Sequence, residues 1–492
     1  MHDDLDAEIT QRVACLERGS VIAAAGCGKT EQIALATQMA EGRRLILTHT
    51  HAGVDALRLR LKKHKVQKDK FRIDTIAGWC LWYSTAYPKR SGLSCYNPRT
   101  SKNWNCVYEA TTKLIQSGAV NGVLTSSYSG VFVDEYQDCT PLQHQVIKAI
   151  AVYLPVCVFG DPLQAIFDFK GQKSVDWEAD VFPVFKKVGE LTRPWRWQNA
   201  GNIELANGLA DVRRTIEEGG SIDLRSRPGC VSWEHLPDDP RFRQAKIIGT
   251  CKRVMGNVID GRLVVIGDAA NINVRAALAQ KLAAVGFSNI EPLDCKNLYE
   301  YAKKIEVATG LPLLVRALDF ICACMTGTEK TDFLDSVKSR QCGGKHGTTK
   351  FGDIIMTGIA VAEGTVEEAL VDLLLGFHSR KSTRLFRREM FFAMRSGLQI
   401  KSARKHDNLM DAIWEVQNRI RHAGRAIGKR SIGSTLLVKG LEFDHAVIVH
   451  ADNMTRKDWY VALTRATTSV TIISPSECFI PAAQRMAKAD RP

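Results

Sequence analysis

Short apolar runs are spread along the chain and predict a series of buried strands. The clearest runs cover residues 21–25, 45–47, 130–133, 156–159, 262–267, 446–449 and 470–473. Runs with so few polar positions are typical of parallel sheets that are covered by helices on both faces. Apolar residues at helical spacing follow the first run, from Ile33 to Met39. The pattern therefore predicts an α/β protein.

Two further stretches interrupt the runs that predict strands. Residues 296–430 carry apolar positions at helical spacing, for example Ile359, Ala362 and Val366, and predict a helical insertion. Residues 84–129 hold loop-forming Pro and Gly residues around a single helical pattern. The strands after residue 430 are therefore expected to continue the sheet that begins before residue 296.

The composition is that of an ordinary globular protein, with 45% hydrophobic and 24% charged residues in a chain of 492. These values exclude a largely disordered chain, which would contain fewer apolar residues. Fourteen cysteines are scattered without a CxxC pair, so we expect neither a zinc site nor a disulfide scaffold. The acidic N-terminus and the lack of an apolar run of about 18 residues predict a cytoplasmic protein with no membrane partner.

The chain carries a formal net charge of +14, which makes a polyanionic partner plausible. The excess is concentrated, because residues 379–430 contain 14 Lys and Arg but only four Asp and Glu. Arg384, Arg387 and Arg388 are examples. The functional interpretation is a phosphate-binding surface for DNA. The alternatives are a solvated helix face or a docking surface for an acidic partner.

A glycine-rich loop follows the first apolar run and precedes the first helical pattern. It comprises Ala25, Gly26, Cys27, Gly28, Lys29 and Thr30. Glycines let backbone N–H groups approach a phosphate closely, and the helix N-terminus adds partial positive charge. Lys29 is expected to reach the β- and γ-phosphates of a nucleotide, and Thr30 to hold Mg²⁺. The alternative is a Gly-Lys turn that arises by chance.

Acidic and amide residues follow two later strands, in the position where ligands of parallel sheets bind. Asp134 is expected to hold Mg²⁺ through water, and Glu135 to polarise the attacking water. Gln164 is expected to sense the γ-phosphate or to orient that water, although such a glutamine is more often a surface turn residue. Together with the loop, these residues predict a site for ATP and Mg²⁺.

Four stretches carry a resemblance to a known family. DEYQD at 134–138, GDPLQAIF at 160–167, KGLEFD at 439–444 and YVALTRA at 460–466 resemble motifs II, III, V and VI of superfamily 1A helicases, the UvrD/Rep/PcrA family. The motifs occur in the family's order, and the resemblance covers both ATPase halves. It implies an α/β fold of two RecA-like parallel-sheet P-loop domains with short helical 1B-like and 2B-like insertions.

The resemblance also implies domain limits, and the sequence departs from the family's pattern in motif V. The first RecA-like domain would cover residues 1–190 with a reduced 1B-like insertion at 84–129, the second 191–295 and 431–492, and the 2B-like insertion 296–430. In motif V, Leu436 replaces the family's histidine, which helps to couple DNA contact to ATP hydrolysis.

Nucleotide-binding roles follow from the resemblance by position. Gln11 matches the glutamine that reads adenine, Trp195 the aromatic residue that stacks on adenine, and Arg196 an arginine that meets the γ-phosphate. Arg465 matches the arginine finger of motif VI, and Glu442 the glutamate of motif V that contacts the nucleotide. Arginines suit these positions, because they would stabilise the charge of the transition state.

The resemblance implies DNA contacts in motif Ia, motif Ib and the tail of motif III. The matching residues are Thr48, His49, Thr50, Thr75, Phe167, Phe169 and Lys170. Phe169 is the best candidate for stacking on a base, and such stacking tolerates any base sequence. A motor that moves along single strands requires this tolerance.

We therefore expect an ATP-dependent translocase or helicase that acts on single-stranded or tailed duplex DNA, with 3′–5′ as the implied direction. The alternative is an ATP- and DNA-sensing regulatory subunit with weak unwinding. The compact size resembles the helicase-like subunit of Gabija-type anti-phage systems, which works with an OLD-like nuclease. DNA repair and antiviral defence both stay open as physiological roles.

Overall fold

The computed structural model describes most of the chain as two compact units. The described residues are 2–96, 98, 101–166, 174–258, 260–267, 271–292, 295–343, 350–352, 354–364, 367–403, 406–423, 427–451 and 454–483, with the backbone alone for 2–5, 101 and 421–423. The first unit is Met1–Ser221 with Thr455–Thr468, and the second is Ile222–Met454 with Ser469–Pro492. The first unit thus extends beyond residue 190 and includes a segment from far along the chain.

The described residues of the first unit form a six-stranded parallel sheet. Its strands are β1 (Arg18–Ala23), β2 (Arg44–Thr48), β3 (Phe71–Thr75), β4 (Gly130–Val133), β5 (Val156–Gly160) and β6 (Lys187–Leu191). They pair in the order β3-β2-β4-β5-β1-β6, and every pair is parallel. The apolar runs near the N-terminus therefore correspond to strands, as predicted.

Helices connect these strands and cover the sheet. They are α1 (His2–Cys15), α2 (Lys29–Met39), α3 (His51–Lys63), α4 (Ile76–Ala86), α5 (Pro88–Ser91), α6 (Ser101–Gln116), α7 (Asn121–Ser127), α8 (Pro141–Ile150), α9 (Trp195–Asn199), α10 (Ile203–Glu218) and, in the returning segment, α21 (Arg456–Leu463). The predicted 1B-like stretch contains only the short helices α5 and α7 with the longer α6 between them, as far as the described residues extend.

Neighbouring residues of each central strand face opposite sides of the sheet. Leu45, Leu47 and Val131 pack with residues of α4, α6 and α8. Ile46 and Phe132 pack with residues of α1, α2 and α3 on the other side. Because both sides are covered, an apolar residue is favoured at every position of the strand, which explains the unbroken runs.

The second unit contains another six-stranded parallel sheet within the described residues. The strands that lie wholly or mostly in this unit are β7 (Ile222–Asp223), β8 (Val231–His235), β9 (Leu263–Gly267), β10 (Ser288–Asn289), β11 (Met325–Thr326), β12 (Arg384–Leu385), β13 (Arg430–Ser434), β14 (Phe443–Val449), β15 (Ala466–Ser474) and β16 (Cys478–Phe479). The sheet order is β10-β13-β9-β14-β15-β8. The predicted α/β fold class with two parallel sheets is confirmed.

Helices of the second unit fall into two groups. Beside the sheet lie α11 (Pro240–Asn257), α12 (Ile272–Leu282) and α20 (Thr435–Val438). The helical insertion consists of α13 (Lys296–Glu306), α14 (Gly310–Cys324), α15 (Lys330–Gln341), α16 (Ile354–Glu363), α17 (Glu367–Ser379), α18 (Arg388–Ser402) and α19 (Leu409–Ala423). The insertion has its own hydrophobic core, drawn from residues 295–416. Within the described part of the chain, no helix combines the length and apolarity needed to cross a bilayer.

The basic stretch 379–430 is not a uniform charged surface. Arg387 is buried, and its Nε and Nη2 atoms donate to the two carboxylate oxygens of Glu291 at 2.6 and 2.8 Å. Burial alone would lower the pKa of Arg387, but the hydrogen bonds and charge of Glu291 outweigh this and raise it. Arg384 and Arg388 are exposed. The interpretation of Arg387 as a phosphate contact is therefore wrong, because its guanidinium is already bound inside the protein.

Candidate nucleotide site

Three loops meet at the carboxyl edge of the first sheet, because neighbouring parallel strands end at the same edge. β5 lies between β1 and β4 in this sheet. The loop after β1 is the glycine-rich stretch 24–28, and the loops after β4 and β5 begin with Asp134 and Asp161. The sheet thereby brings together candidate residues from distant parts of the sequence.

The glycine-rich loop depends on Gly26 and Gly28. Their φ angles are 73° and 81°, in the left-handed region that glycine adopts without strain. A Cβ atom at Gly28 would lie 3.0 Å from Cδ1 of Trp195, and one at Gly26 would lie 2.7 Å from Cζ3 of Trp197. Both positions therefore need glycine for their conformation and for the close approach of α9. The first N–H groups of α2 have no partner within the helix, which suits a phosphate group.

Lys29, the first residue of α2, forms an ion cluster with the two acidic residues after β4, in which the side chains of Lys29 and Asp134 are largely buried and that of Glu135 is 34% exposed. Its Nζ atom lies 2.5 Å from Oε1 of Glu135 and 3.4 Å from Oδ1 of Asp134. Burial alone would lower the pKa of Lys29, but the charges of Glu135 and Asp134 outweigh burial and raise it. Burial raises the pKa of the Asp134 carboxyl to about 6, against the opposing charge of Lys29. The residues predicted to bind phosphate, bind Mg²⁺ and activate water therefore lie together.

Glu135 occupies an uncommon backbone conformation at this site. Its φ angle is 55°, a left-handed value that costs a residue other than glycine about 1–3 kcal/mol. The Glu135 N–H donates to Oδ1 of Asp134 at 2.9 Å, and its carboxylate accepts from the side-chain amide of Gln137. Oε1 of Gln137 accepts the N–H of Asp161 at 3.0 Å. Gln137 thus connects the loop after β4 to the loop after β5.

Asp161 organises the turn that carries Gln164. Asp161 is fully buried, and its Oδ1 accepts the N–H of Leu163 at 3.3 Å at the start of the 3₁₀ turn Pro162–Gln164. Its Oδ2 accepts the side-chain amide of Gln164 at 2.9 Å. Gln164 is therefore buried and held by a carboxylate, unlike the surface turn residue that was the alternative.

Trp195, the predicted adenine-stacking residue, lies against the phosphate loop at the start of α9. Its Nε1 donates to Oδ2 of Asp6 at 3.4 Å. The guanidinium of Arg193 lies 3.6 Å from the centre of the Trp195 ring. One face of the indole is therefore already covered by a cation, which leaves stacking on a nucleobase to the other face.

The two arginines predicted to meet the γ-phosphate have different surroundings. The backbone N–H of Arg196 donates to the carbonyl of Gly26 at 3.1 Å, and its Nη1 donates to the carbonyl of Thr464 at 3.0 Å. Arg465 is buried, and its Nε donates to the carbonyl of Val461 at 2.8 Å. Arg196 therefore joins α9 to the phosphate loop, whereas Arg465 secures the end of α21. The finger role of Arg465 stays a prediction.

Two further predicted nucleotide contacts are exposed residues, one on α1 and one in the second unit. Gln11 is exposed on α1, whose buried acidic residue Asp6 is the one that contacts Trp195. Glu442 is exposed in the second unit, and its carbonyl accepts from Nη1 of Arg262 at 3.0 Å. Their predicted roles stay untested.

The described residues of the predicted DNA-binding set lie at the starts of α3 and α4. Thr50 accepts the N–H of Gly53 at 3.0 Å and Thr75 accepts that of Gly78 at 2.9 Å, so each caps its helix. Thr48 is buried at the end of β2.

The fourth described member, His49, contacts a buried thiol through its ring, because its Nε2 lies 3.4 Å from Sγ of Cys139. Phe167, Phe169 and Lys170 lie outside the described residues.

Several site residues escaped the sequence reasoning. Asp161 and Tyr460 lie within recognised motifs, but no chemical role could be read from their type. Asp6 lies on the apolar face of α1, where it is buried. An acidic residue among apolar helix positions is the sequence signal that could have identified it. Arg213 on α10 has no local signature apart from Glu217 one helical turn later.

The donor set fits a nucleotide with Mg²⁺. A buried ammonium at the end of a glycine loop suits a polyphosphate. Asp134 and Thr30 are the predicted oxygen ligands of Mg²⁺, which usually completes such a site with phosphate oxygens and water. No group of three or more His, Cys, Asp or Glu side chains arranged for a metal occurs in the described residues.

Part of the chain matches a known family. Residues 103–175, from α6 to beyond the Gln164 turn, match the family described as UvrD/REP helicase N-terminal domain. No protein with a curated function is similar enough to this chain to count as a match. The matched stretch includes DEYQD at 134–138 and GDPLQAIF at 160–167.

Solved helicase structures show a distant likeness to the chain. The Bacteroides Pif1 helicase in complex with ADP-AlF3 and ssDNA has a TM-score of 0.37 and 12% identity, over 99% of this chain and 94% of that one. Arterivirus nonstructural protein 10 (helicase) with DNA has a TM-score of 0.35 and 11% identity, over 95% and 63%. The PRRSV helicase has a TM-score of 0.34 and 11% identity, over 97% and 57%. The chain thus spans less than two thirds of the length of the latter two chains.

Proposed function

We propose that this protein hydrolyses ATP with Mg²⁺ and couples hydrolysis to movement along single-stranded DNA, as a UvrD-like translocase or helicase. The observation that carries the proposal is the ion cluster of Lys29, Asp134 and Glu135 at the end of the glycine loop. A charged lysine, a ligand for Mg²⁺ and a carboxylate able to orient water are the groups that phosphoryl transfer to water requires.

Each residue of the cluster has a separate task in this proposal. An ammonium has three N–H donors, so Lys29 can contact a phosphate oxygen while it remains paired with a carboxylate. Asp134 holds Mg²⁺, which neutralises charge on the phosphates when bound. Glu135 orients and polarises the attacking water, and Gln164 senses the γ-phosphate. Arg196, tied to the phosphate loop through its backbone, stabilises the charge that develops on the phosphoryl group.

DNA is proposed to lie at the carboxyl edge of the first sheet, along the starts of α3 and α4. Thr48, His49, Thr50 and Thr75 lie there because β2 and β3 end at this edge. Helix N-termini favour phosphate contacts, which suits a protein that binds the DNA backbone without reading its sequence. The 3′–5′ direction rests on the resemblance to UvrD-like enzymes.

Phosphate release with and without single-stranded DNA tests the proposal. We expect Lys29→Ala to abolish hydrolysis, because it removes the phosphate-binding ammonium. Lys148→Ala, which removes an exposed lysine of α8, is the matched control and should hydrolyse ATP normally. Strand displacement on duplexes with a 3′ or a 5′ tail then tests direction. Hydrolysis that survives Lys29→Ala would refute the nucleotide site.

A second candidate is an ATP- and DNA-sensing subunit of a nuclease–helicase complex, with DNA repair or antiviral defence as its setting. The reduced 1B-like stretch and Leu436, half-buried in α20, favour it. In this case the isolated protein would hydrolyse ATP but displace no strand until a partner nuclease was added. Strand displacement by the protein alone would exclude this candidate.

A further inference from the structure

A buried hydrogen-bond network joins the phosphate loop to the turn that carries Gln164, and Arg213 lies at its centre. Nη1 of Arg213, on α10, donates to the hydroxyl of Tyr460 at 2.8 Å and to Oδ1 of Asp161 at 2.9 Å. The Tyr460 hydroxyl also accepts the backbone N–H of Ala25 at 3.1 Å. Asp161 holds the side-chain amide of Gln164 with its other oxygen. One guanidinium nitrogen therefore connects both loops.

Because the groups are buried, water cannot readily replace these contacts, and breaking them is energetically unfavourable. Tyr460 is 2% exposed, Asp161 is fully buried, and the side chain of Arg213 is 12% exposed. Burial alone would lower the pKa of Arg213, but the charge of Asp161 outweighs it and raises that pKa, so the guanidinium stays charged. Nε of Arg213 contacts Glu217 at 3.1 Å, one turn along the same helix, which fixes the orientation of the guanidinium.

A second set of hydrogen bonds extends the network to the residues that are proposed to act in hydrolysis. The N–H of Asp161 donates to Gln137, and the amide of Gln137 donates to Glu135. Glu135 is paired with Lys29. A displacement of Asp161 would therefore reach the residue proposed to orient water, as well as Gln164.

We propose that Arg213 is a positioning residue for ATP hydrolysis, which holds the phosphate loop through Tyr460 and the sensor Gln164 through Asp161. The inference rests on the proposed function, because positioning matters only if the site hydrolyses a nucleotide. Arg213 touches neither nucleotide nor water in this scheme. Its effect is to hold the phosphate loop and the Gln164 turn in fixed relative positions during ATP hydrolysis.

Three variants and a control test the inference. Tyr460→Phe removes one oxygen and leaves Ala25 and Arg213 each with an unmatched N–H. Arg213→Met removes both contacts, and Arg213→Lys keeps a charge near Asp161 but lacks the fixed fork of donors. Arg214→Met, on the same helix, removes only an exposed pair with Asp211 and is the control.

Steady-state hydrolysis and nucleotide binding provide the readout. We expect Tyr460→Phe and Arg213→Met to lower kcat by about 10- to 100-fold, the range that a misplaced catalytic group produces. Binding of fluorescent ADP should change by less than about threefold, because Lys29 is retained. Arg213→Lys should recover part of kcat, and Arg214→Met should match the unmodified protein.

A double-mutant cycle separates positioning from mere stabilisation. If both residues act through one network, the losses of kcat in Tyr460→Phe and Arg213→Met will not add. A lower melting temperature with kcat of the folded protein unchanged in Tyr460→Phe would overturn the inference, even if Arg213→Met fails to fold. If Lys29→Ala also hydrolyses ATP normally, the proposed function fails instead.

Discussion

The buried pair of Arg387 and Glu291 leads to a prediction about stability that opposes the charge-based interpretation of the basic stretch. Arg387→Met keeps a long apolar side chain but removes the guanidinium that binds Glu291. Glu291 is 1% exposed, so its carboxylate would be left buried beside an apolar side chain. The change should therefore lower the free energy of unfolding and leave DNA binding unaltered.

The size of the expected loss of stability follows from the geometry of this pair. Two charge-assisted hydrogen bonds of 2.6 and 2.8 Å are lost together. Removing one partner of such a buried pair costs about 3–5 kcal/mol, most of it from the charge that remains. The double variant Glu291→Gln, Arg387→Met should lose less than Arg387→Met alone, because a neutral amide is less costly to bury than a carboxylate.

Urea unfolding and DNA binding at several salt concentrations provide the assay. Arg384→Met, which removes an exposed arginine of the same stretch, is the control and should change the free energy of unfolding by less than about 0.5 kcal/mol. Arg387→Met should lower the urea midpoint while the dependence of DNA affinity on salt stays the same. The reasoning is refuted if Arg387→Met unfolds like Arg384→Met, or if it flattens the salt dependence of DNA binding without loss of stability.

Two further predictions concern the phosphate loop. Gly28→Ala should lower the free energy of unfolding by about 1–2 kcal/mol, because alanine is strained in a left-handed conformation. It should also lower ATP hydrolysis by at least about tenfold in a phosphate-release assay, because the new methyl group meets Trp195. The control is Gly122→Ala on α7, where a Cβ atom meets nothing within 4 Å, and it should hydrolyse ATP normally. Burial raises the pKa of Cys27 to about 12, so at about pH 8 its thiolate fraction is on the order of 1 in 10,000. In mass spectrometry of the native protein, iodoacetamide should therefore modify the exposed Cys15 and Cys342 well before Cys27.

Local patterns were sufficient for the phosphate loop and for seven of the twelve strands that the described residues form in the two large sheets. The other five, β3, β6, β8, β10 and β13, were not predicted. An apolar run reflects burial on both faces of a sheet, and Gly26 and Gly28 reflect a left-handed backbone conformation, so both signals lie within a few residues of the sequence. Lys29, Asp134 and Glu135 could be paired because parallel strands bring their loops to one edge.

Contacts that depend on tertiary packing could not be read in this way. The count of basic residues in 379–430 does not show that Arg387 faces Glu291, 96 positions away. Arg213 meets Tyr460 across 247 positions, and nothing near either residue indicates the other. Residues 455–468 are a further case, because this segment returns to a unit that otherwise ends at Ser221.

That returning segment has a consequence for the order of events during protein synthesis. The ribosome makes Ala25 and Arg213 long before it makes Tyr460, which contacts both. At translation rates of about 5–20 residues per second, the delay between Ser221 and Thr455 is roughly 10–50 s. During that interval the nascent chain contains the glycine loop and its acidic partners but lacks the tyrosine that completes the network. The first unit therefore receives its last helix, α21, only after the helical insertion of the second unit has been translated.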